Sequence, residues 1–345
     1  MKNFFRYLSY RLKSSALRTL IFTALSVAIC LIGISEVNTS DEIKYCQSGL
    51  FMLATVLCIT ASVVPLFELS GIKNRRNLDT LYFFPIKREK MAMVHFVSGF
   101  VQVVAIYTVT WGASYLWLAF NTDYFALVYM IPYYFLSLLL AFVIYSIYCF
   151  LFMQANTVAD GVLFCALWIF LPCIVALSAS WVFDSKIADN LAGWGIMYTP
   201  MNNLTVLFQD LVEINRPDYW RHGVEEITDR WYMFFIWGAV GIAAANGYLI
   251  SFVKKGAEQA GEISNSPFGY ALLIPVYGYC FMMMPFGIYY IPISLVVYLI
   301  IMLSGYLIYR RGFKFKIPDI VVTVIGLVLP FVAAYIQLPD TLSHF

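Results

Sequence analysis

Nine apolar runs, most of them as long as the roughly 18 to 20 residues that cross a bilayer as a helix, constrain this chain more than any other feature. They fall at about 16–36, 50–70, 94–120, 130–153, 161–182, 231–252, 268–286, 291–309 and 319–338. With 61% apolar and only 12% charged residues, the chain lacks the polar surface to wrap a soluble core of 345 residues. The expected class is therefore all-α: a polytopic integral membrane protein with about nine transmembrane helices. Eight is the alternative, because Pro330 inside the last run would suit a re-entrant segment.

The charges orient these spans. Short loops that hold Lys and Arg stay on the cytoplasmic side, and the densest basic stretch is Gly71 to Val94. There Lys73, Arg75, Arg76, Lys87, Arg88 and Lys90 face only two acids, Asp79 and Glu89. The stretches VKKGAEQAGEIS after residue 252 and YRRGFKFKIP after residue 308 are inner loops by the same reasoning. The longest polar segment, 184–230, carries eight acids and four bases and is assigned outside. Within it, GWGIMYTPMNNLTVLFQDLV is apolar enough to dip into the outer leaflet as short broken helices packed on protein. This puts the N-terminus in the cytoplasm and the C-terminus outside.

Residues 1–14 place Phe4, Phe5, Leu8 and Leu12 on one helical face, with Arg6, Arg11 and Lys13 elsewhere and no acid. Such a segment is expected to lie as a separate amphipathic helix in the cytoplasmic interface. No signal-peptide cleavage pattern follows it, so the first span is expected to remain. Six cysteines sit in apolar runs and act as small hydrophobes, while Cys46 stands in a polar loop; no disulfide framework or metal spacing emerges.

Candidate chemistry is sparse. Glu68 lies near the inner end of the second run, and Asp160 and Asp319 lie at span starts, where helix N-termini favour acids. All three are read as interfacial or capping residues rather than as an ion relay. His95, His222 and His344 are far apart, and no catalytic spacing or GxxxxGK[ST] loop occurs. The chain is thus expected not to be an enzyme. It binds no cofactor or metal of its own on this reading, and no catalytic or cargo-binding residues are assigned.

The segment KNRRNLDTLYFFPIKREKMAMVHFVSG resembles the R-x-x-D-x-x-x-x-x-P-[IL]-x-R pattern that joins spans 2 and 3 in ABC-2 type permeases of bacterial exporters. Arg76, Asp79, Pro85, Ile86 and Arg88 occupy its places. The resemblance implies a coupling helix seated on a cytoplasmic ABC ATPase, carried by Arg75, Arg76, Leu78, Asp79, Leu81, Tyr82, Pro85, Lys87 and Arg88. The residue types suit that role: Asp79 can cap a turn, Leu78, Leu81 and Tyr82 offer an apolar face, and Pro85 ends it. FVKKGAEQAGEIS is similar to the K-x-x-E-x-A-G segment of the bacitracin-type and acetoin-cluster branch, through Lys255, Glu258, Ala260 and Gly261.

These likenesses cover residues 1 to about 265 and imply a core of six spans at 15–265, preceded by the 1–14 helix. Residues 266–345 add helices that the six-span family pattern does not contain. The implied function is the permease subunit of an ATP-driven exporter in a bacterial plasma membrane. ATP and Mg would sit on a separate ATPase subunit. A second permease subunit and membrane lipid would be the other partners, with no nucleic acid involved, and an amphiphilic peptide, antibiotic or lipid-like molecule would be the cargo. Two alternatives stay open. One is a polytopic membrane enzyme using Asp189, Asp210, His222, Glu225 and Glu226 of the outer segment; the other is an ATP-independent carrier.

Overall fold

A computed structural model describes residues 2–35, 37–40, 43–46, 50–74, 86–122, 127–182, 199–214, 231–256, 259–283, 291–313 and 315–328. Among the described residues ten α-helices form, nine from the apolar runs and α6 from the outer polar segment: α1 Lys2–Ile34, α2 Phe51–Ser70, α3 Arg88–Asn121, α4 Leu127–Gln154, α5 Val158–Val182, α6 Pro200–Ile214, α7 Trp231–Lys254, α8 Tyr270–Met283, α9 Ile291–Arg310 and α10 Ile317–Val328. Seven of these, α1 to α5, α7 and α9, are long and apolar enough to cross a membrane. The protein is a multi-pass helical membrane protein. The expected count of nine rests additionally on α8 and α10, whose described residues are too short for a full crossing. Among the described residues the class is helical with one exception, an antiparallel hairpin of β1 (Val37–Ser40) and β2 (Ile43–Cys46) that pairs Val37 with Cys46 between α1 and α2.

The helix expected at 1–14 is not set off from the first span. Residues 2–34 form one uninterrupted helix of 33 residues, about 50 Å long. The physical reason is in the sequence KSSALRT, which has neither proline nor glycine to end the helix. A tertiary reason reinforces it: Tyr7 is buried, and Arg11 is held by another helix.

Packing divides the chain into two units. Unit 1 comprises Met1–Met153 and Pro200–Glu258, and unit 2 comprises Gln154–Thr199 and Gln259–Phe345. This differs from the sequence division at residue 265, because α5 groups with α8 to α10 instead of with the preceding helices. In unit 1, α1 and α2 both pack along α3, and α7 packs on the start of α3. Its buried layer includes Leu53, Leu57 and Val64 of α2, Val103, Ile106 and Tyr107 of α3, and Ile144, Tyr145 and Phe152 of α4. Gly247 of α7 permits a close approach to α4, since a Cβ there would come within 2.9 Å of the Phe150 ring. Small residues at crossing points are how apolar helices approach in lipid. Tyr145 and Tyr248 donate their hydroxyls to the carbonyls of Phe96 and Ala92, at 2.9 and 3.2 Å, fastening α4 and α7 to α3.

In unit 2 the core gathers Phe164 of α5, Tyr270, Leu273 and Ile274 of α8, and Tyr298, Met302 and Tyr306 of α9. Two acids organise its loops. Asp319 closes a capping arrangement at the start of α10, accepting the Lys316 backbone N–H at 3.0 Å, and takes both ends of the Arg310 guanidinium at 2.9 and 3.1 Å. The capping reading of Asp319 holds. Asp160 does other work: its N–H is capped by Thr157 Oγ1 at 3.0 Å, while its carboxylate accepts from Ser264 at 2.9 Å and Tyr270 at 2.7 Å, tying the loop before α8 to the start of α5.

Candidate functional site

The basic segment between α2 and α3 emerges from unit 1 through two cationic anchors. At its N-terminal side Lys73, in the 3-10 turn after α2, is buried; its Nζ donates to the Phe152 carbonyl and lies 4.2 Å from the centre of the Phe152 ring. At its C-terminal side Arg88, the first residue of α3, donates Nη1 to Val253 O at 3.3 Å and Nη2 to Lys255 O at 3.1 Å. Phe152 and Val253 lie in the last turns of α4 and α7. A helix end presents unpaired carbonyls and a partial negative charge, so each cation answers the terminus it meets. The two ends of one segment are thus bonded to the ends of two different helices.

Of the residues assigned to the coupling face, Lys87 and Arg88 are described. Lys87 is exposed and accepts the first α3 hydrogen bond, from Met91 N at 3.0 Å. Arg75, Arg76, Leu78, Asp79, Leu81, Tyr82 and Pro85 lie outside the described residues.

One to two turns deeper lies a polar cluster that the sequence did not announce. The Glu68 side chain is 1% exposed. Oε1 accepts from Arg11 Nη2 at 2.7 Å and Ser98 Oγ at 2.6 Å, while Oε2 accepts from Arg18 Nη2 at 2.7 Å and Gln102 Nε2 at 3.3 Å. Arg11 also reaches the Glu68 carbonyl at 3.2 Å, and Arg18 reaches Gln102 Oε1 at 2.7 Å. His95 closes the cluster, with Nε2 3.2 Å from the Tyr7 hydroxyl and Nδ1 3.9 Å from Glu68 Oε1. Glu68 is therefore a buried ion-pair centre and not an interfacial cap.

Its chemistry follows from counting. A carboxylate offers about four acceptor positions, and five donors on four side chains of α1 and α3 converge on them. Filled in this way, the cluster joins α1, α2 and α3. Sequence reasoning passed over Arg11, Arg18, Ser98 and Gln102. A readable signal existed: Arg11 and Arg18 are seven apart and share a helical face, and Ser98 and Gln102 are four apart on another.

The second motif is distributed. Lys255 lends its carbonyl to Arg88 in unit 1. Gly261 belongs to unit 2, where its N–H donates to Asn156 O at 3.1 Å and its carbonyl accepts from Arg311 Nη1 at 3.1 Å. Gly261 has φ of 84°, in the left-handed region that an L side chain enters at a penalty of about 1 to 2 kcal/mol. Gly261→Ala is accordingly expected to destabilise the protein by about 1 kcal/mol, read as a lower thermal midpoint in detergent, whereas Ala260→Gly should produce a smaller loss. Glu258 lies outside the described residues.

Of the acids and histidine considered for an outer active face, Asp210 is described; Asp189, His222, Glu225 and Glu226 are not. Asp210 is 1% exposed and shares the packed face of α6 with Leu207 and Leu211. That face rests on unit 1, where Phe208 meets Trp111 of α3 with ring centres 5.8 Å apart. Among the described residues, no three of His, Cys, Asp and Glu come together as a metal site.

Neither the protein-family models nor the curated proteins contain a match to this chain.

Proposed function

We propose that this chain is the transmembrane permease subunit of an ATP-driven exporter in a bacterial plasma membrane, working with a separate cytoplasmic ABC ATPase and a second permease subunit. The observation that carries the reading is the pair of anchors flanking the basic segment. A partner that pulls on residues 75–85 from the cytoplasm pulls through Lys73 on the end of α4 and through Arg88 on the end of α7. It also pulls directly on α2 and α3, which the segment joins covalently. A loop that only attached the chain to lipid would have no need of these bonds to two helix ends. ATP-driven closure of the ATPases would shift this segment, tilt α2 and α3, and open a pathway outward for an amphiphilic cargo.

The test is a mild-detergent purification of the tagged chain from its native membrane, followed by mass spectrometry of what stays bound. A P-loop ATPase in stoichiometric amount is expected, and its loss on substituting Asp79 and Arg88 together would place the contact on the basic segment. A chain that reproducibly purifies without any ATPase would overturn the proposal.

A further inference from the structure

A groove of about 890 Å³ runs between α1 and α3 on the surface of unit 1. Its floor is made by small residues of α1, among them Ala16, Ala24 and Ala28, and its far wall by Val101, Ala105 and Val109 of α3. Thr19 and Thr23 also line it, but their hydroxyls turn back to the carbonyls of Ser15 and Thr19 at 3.0 and 2.8 Å. Thr23 therefore offers its methyl group, and the surface is hydrocarbon almost throughout. A polar solute would find few bonds there. The α1 lining from Leu12 to Leu31 is roughly 28 Å long at 1.5 Å per residue, and its stretch from Ala16 to Ala28, roughly 18 Å, is close to the depth of one leaflet of a bilayer core about 30 Å thick.

The charges at one end of this groove specify what fills it. Residues 2–34 contain Lys2, Arg6, Arg11, Lys13 and Arg18 and no acid. Arg11 and Arg18 are paired with Glu68 and still leave one excess positive charge. Arg6 and Lys13 are exposed. Lys13 shares a helical face with Leu20, Ala24 and Leu31, which line the groove, and Arg6 lies one step of seven before it. An apolar channel with cations beside the end that begins at Leu12 is complementary to an acyl chain bearing an anionic head group. A second copy of this chain is a poorer occupant: packing α1 against its own symmetry mate in parallel sets Arg6 and Lys13 against the same residues, with no α1 acid to pair with them.

We infer that the α1–α3 groove binds an anionic glycerophospholipid of the surrounding bilayer, one acyl chain lying along Ala16 to Ala28 and the phosphate held by Arg6 and Lys13. The site does not depend on the export reading.

Native mass spectrometry of the full-length protein in detergent, supplied with equal amounts of dioleoyl phosphatidylglycerol and dioleoyl phosphatidylcholine, tests it. The wild type is expected to retain the anionic lipid with a preference of about fivefold or more for each basic residue engaged. Arg6→Gln with Lys13→Gln, both exposed positions, should bring the two lipids to near parity without loss of fold. Ala24→Phe, which fills the groove, should abolish retention of both, and Ala24→Leu provides a milder version if the larger side chain impairs folding. Equal retention of the two lipids by the wild type, or retention unaltered by filling the groove, would overturn the inference. So would efficient disulfide-linked dimerisation of an Ala24→Cys variant in native membranes, which would assign the groove to a second copy.

Discussion

Glu68→Ala is expected to destabilise the protein by on the order of 3 kcal/mol. Removing the carboxylate leaves Arg11 and Arg18 facing one another beside Gln102 and His95, with side chains only 24% and 28% exposed. A partly buried cation that has lost its counter-ion carries part of its desolvation penalty uncompensated. Ser98 and Gln102 lose an acceptor at the same time. Thermal unfolding in detergent, followed by α-helical circular dichroism, should show a clear drop in midpoint. The triple variant Arg11→Met, Arg18→Met, Glu68→Met should fall much closer to wild type, because apolar side chains of similar volume often replace a buried ionic cluster with little change in stability. An unchanged midpoint for Glu68→Ala would mean that the carboxylate is not the junction of α1, α2 and α3.

The second large effect concerns the anchors. Replacing Lys73 and Arg88 together by Met is expected to loosen the last turns of α4 and α7 while leaving membrane insertion intact. Hydrogen bonds from a charged donor contribute about 1.5 to 3 kcal/mol. Loss of about 2 kcal/mol at either terminus would speed amide hydrogen exchange there by roughly thirtyfold, with the middle of each helix unaffected. On the permease reading the same variant should bind its ATPase and allow ATP hydrolysis, yet move little cargo. Exchange at both helix ends that matches wild type would remove the physical basis of the coupling argument. Altered exchange with normal transport would leave the anchors in place but deny them a role in coupling.

Much of the fold was legible because membrane spans announce themselves one at a time. A run such as VLFCALWIFLPCIVALSA needs no knowledge of its neighbours to be called a helix. Asp319 could be read as a cap for the same reason, since a cap involves residues only three apart. What escaped was pairing. Nothing in ELSG says that Glu68 will meet Arg11, 57 residues earlier, or Gln102, 34 residues later. An acid two residues from a span end looks the same whether it faces water or a buried guanidinium. The charges of residues 1–14 suggest a helix of their own, but the absence of a helix breaker between Lys13 and Arg18 favours continuity, and residues 2–34 are one helix. The anchors illustrate both sides: Arg88 was singled out by its place in a pattern, while the carbonyls that receive it, 165 and 167 residues away, were not readable at all.

The interleaving of the two units also bears on how the protein is made. α5 is synthesised well before the elements that cover it: Asp160 waits for Tyr270, 110 residues further on, and the Phe164 ring meets Tyr270 with centres 4.9 Å apart. At translation rates of about 5 to 20 residues per second, that interval is roughly 5 to 20 s. During it the newborn α5 has none of its own unit's helices beside it, while much of unit 1 is already in the membrane. A ribosome paused before residue 259 would present an inserted helix still awaiting its neighbours, which is the kind of intermediate that insertion chaperones shelter and quality-control proteases remove.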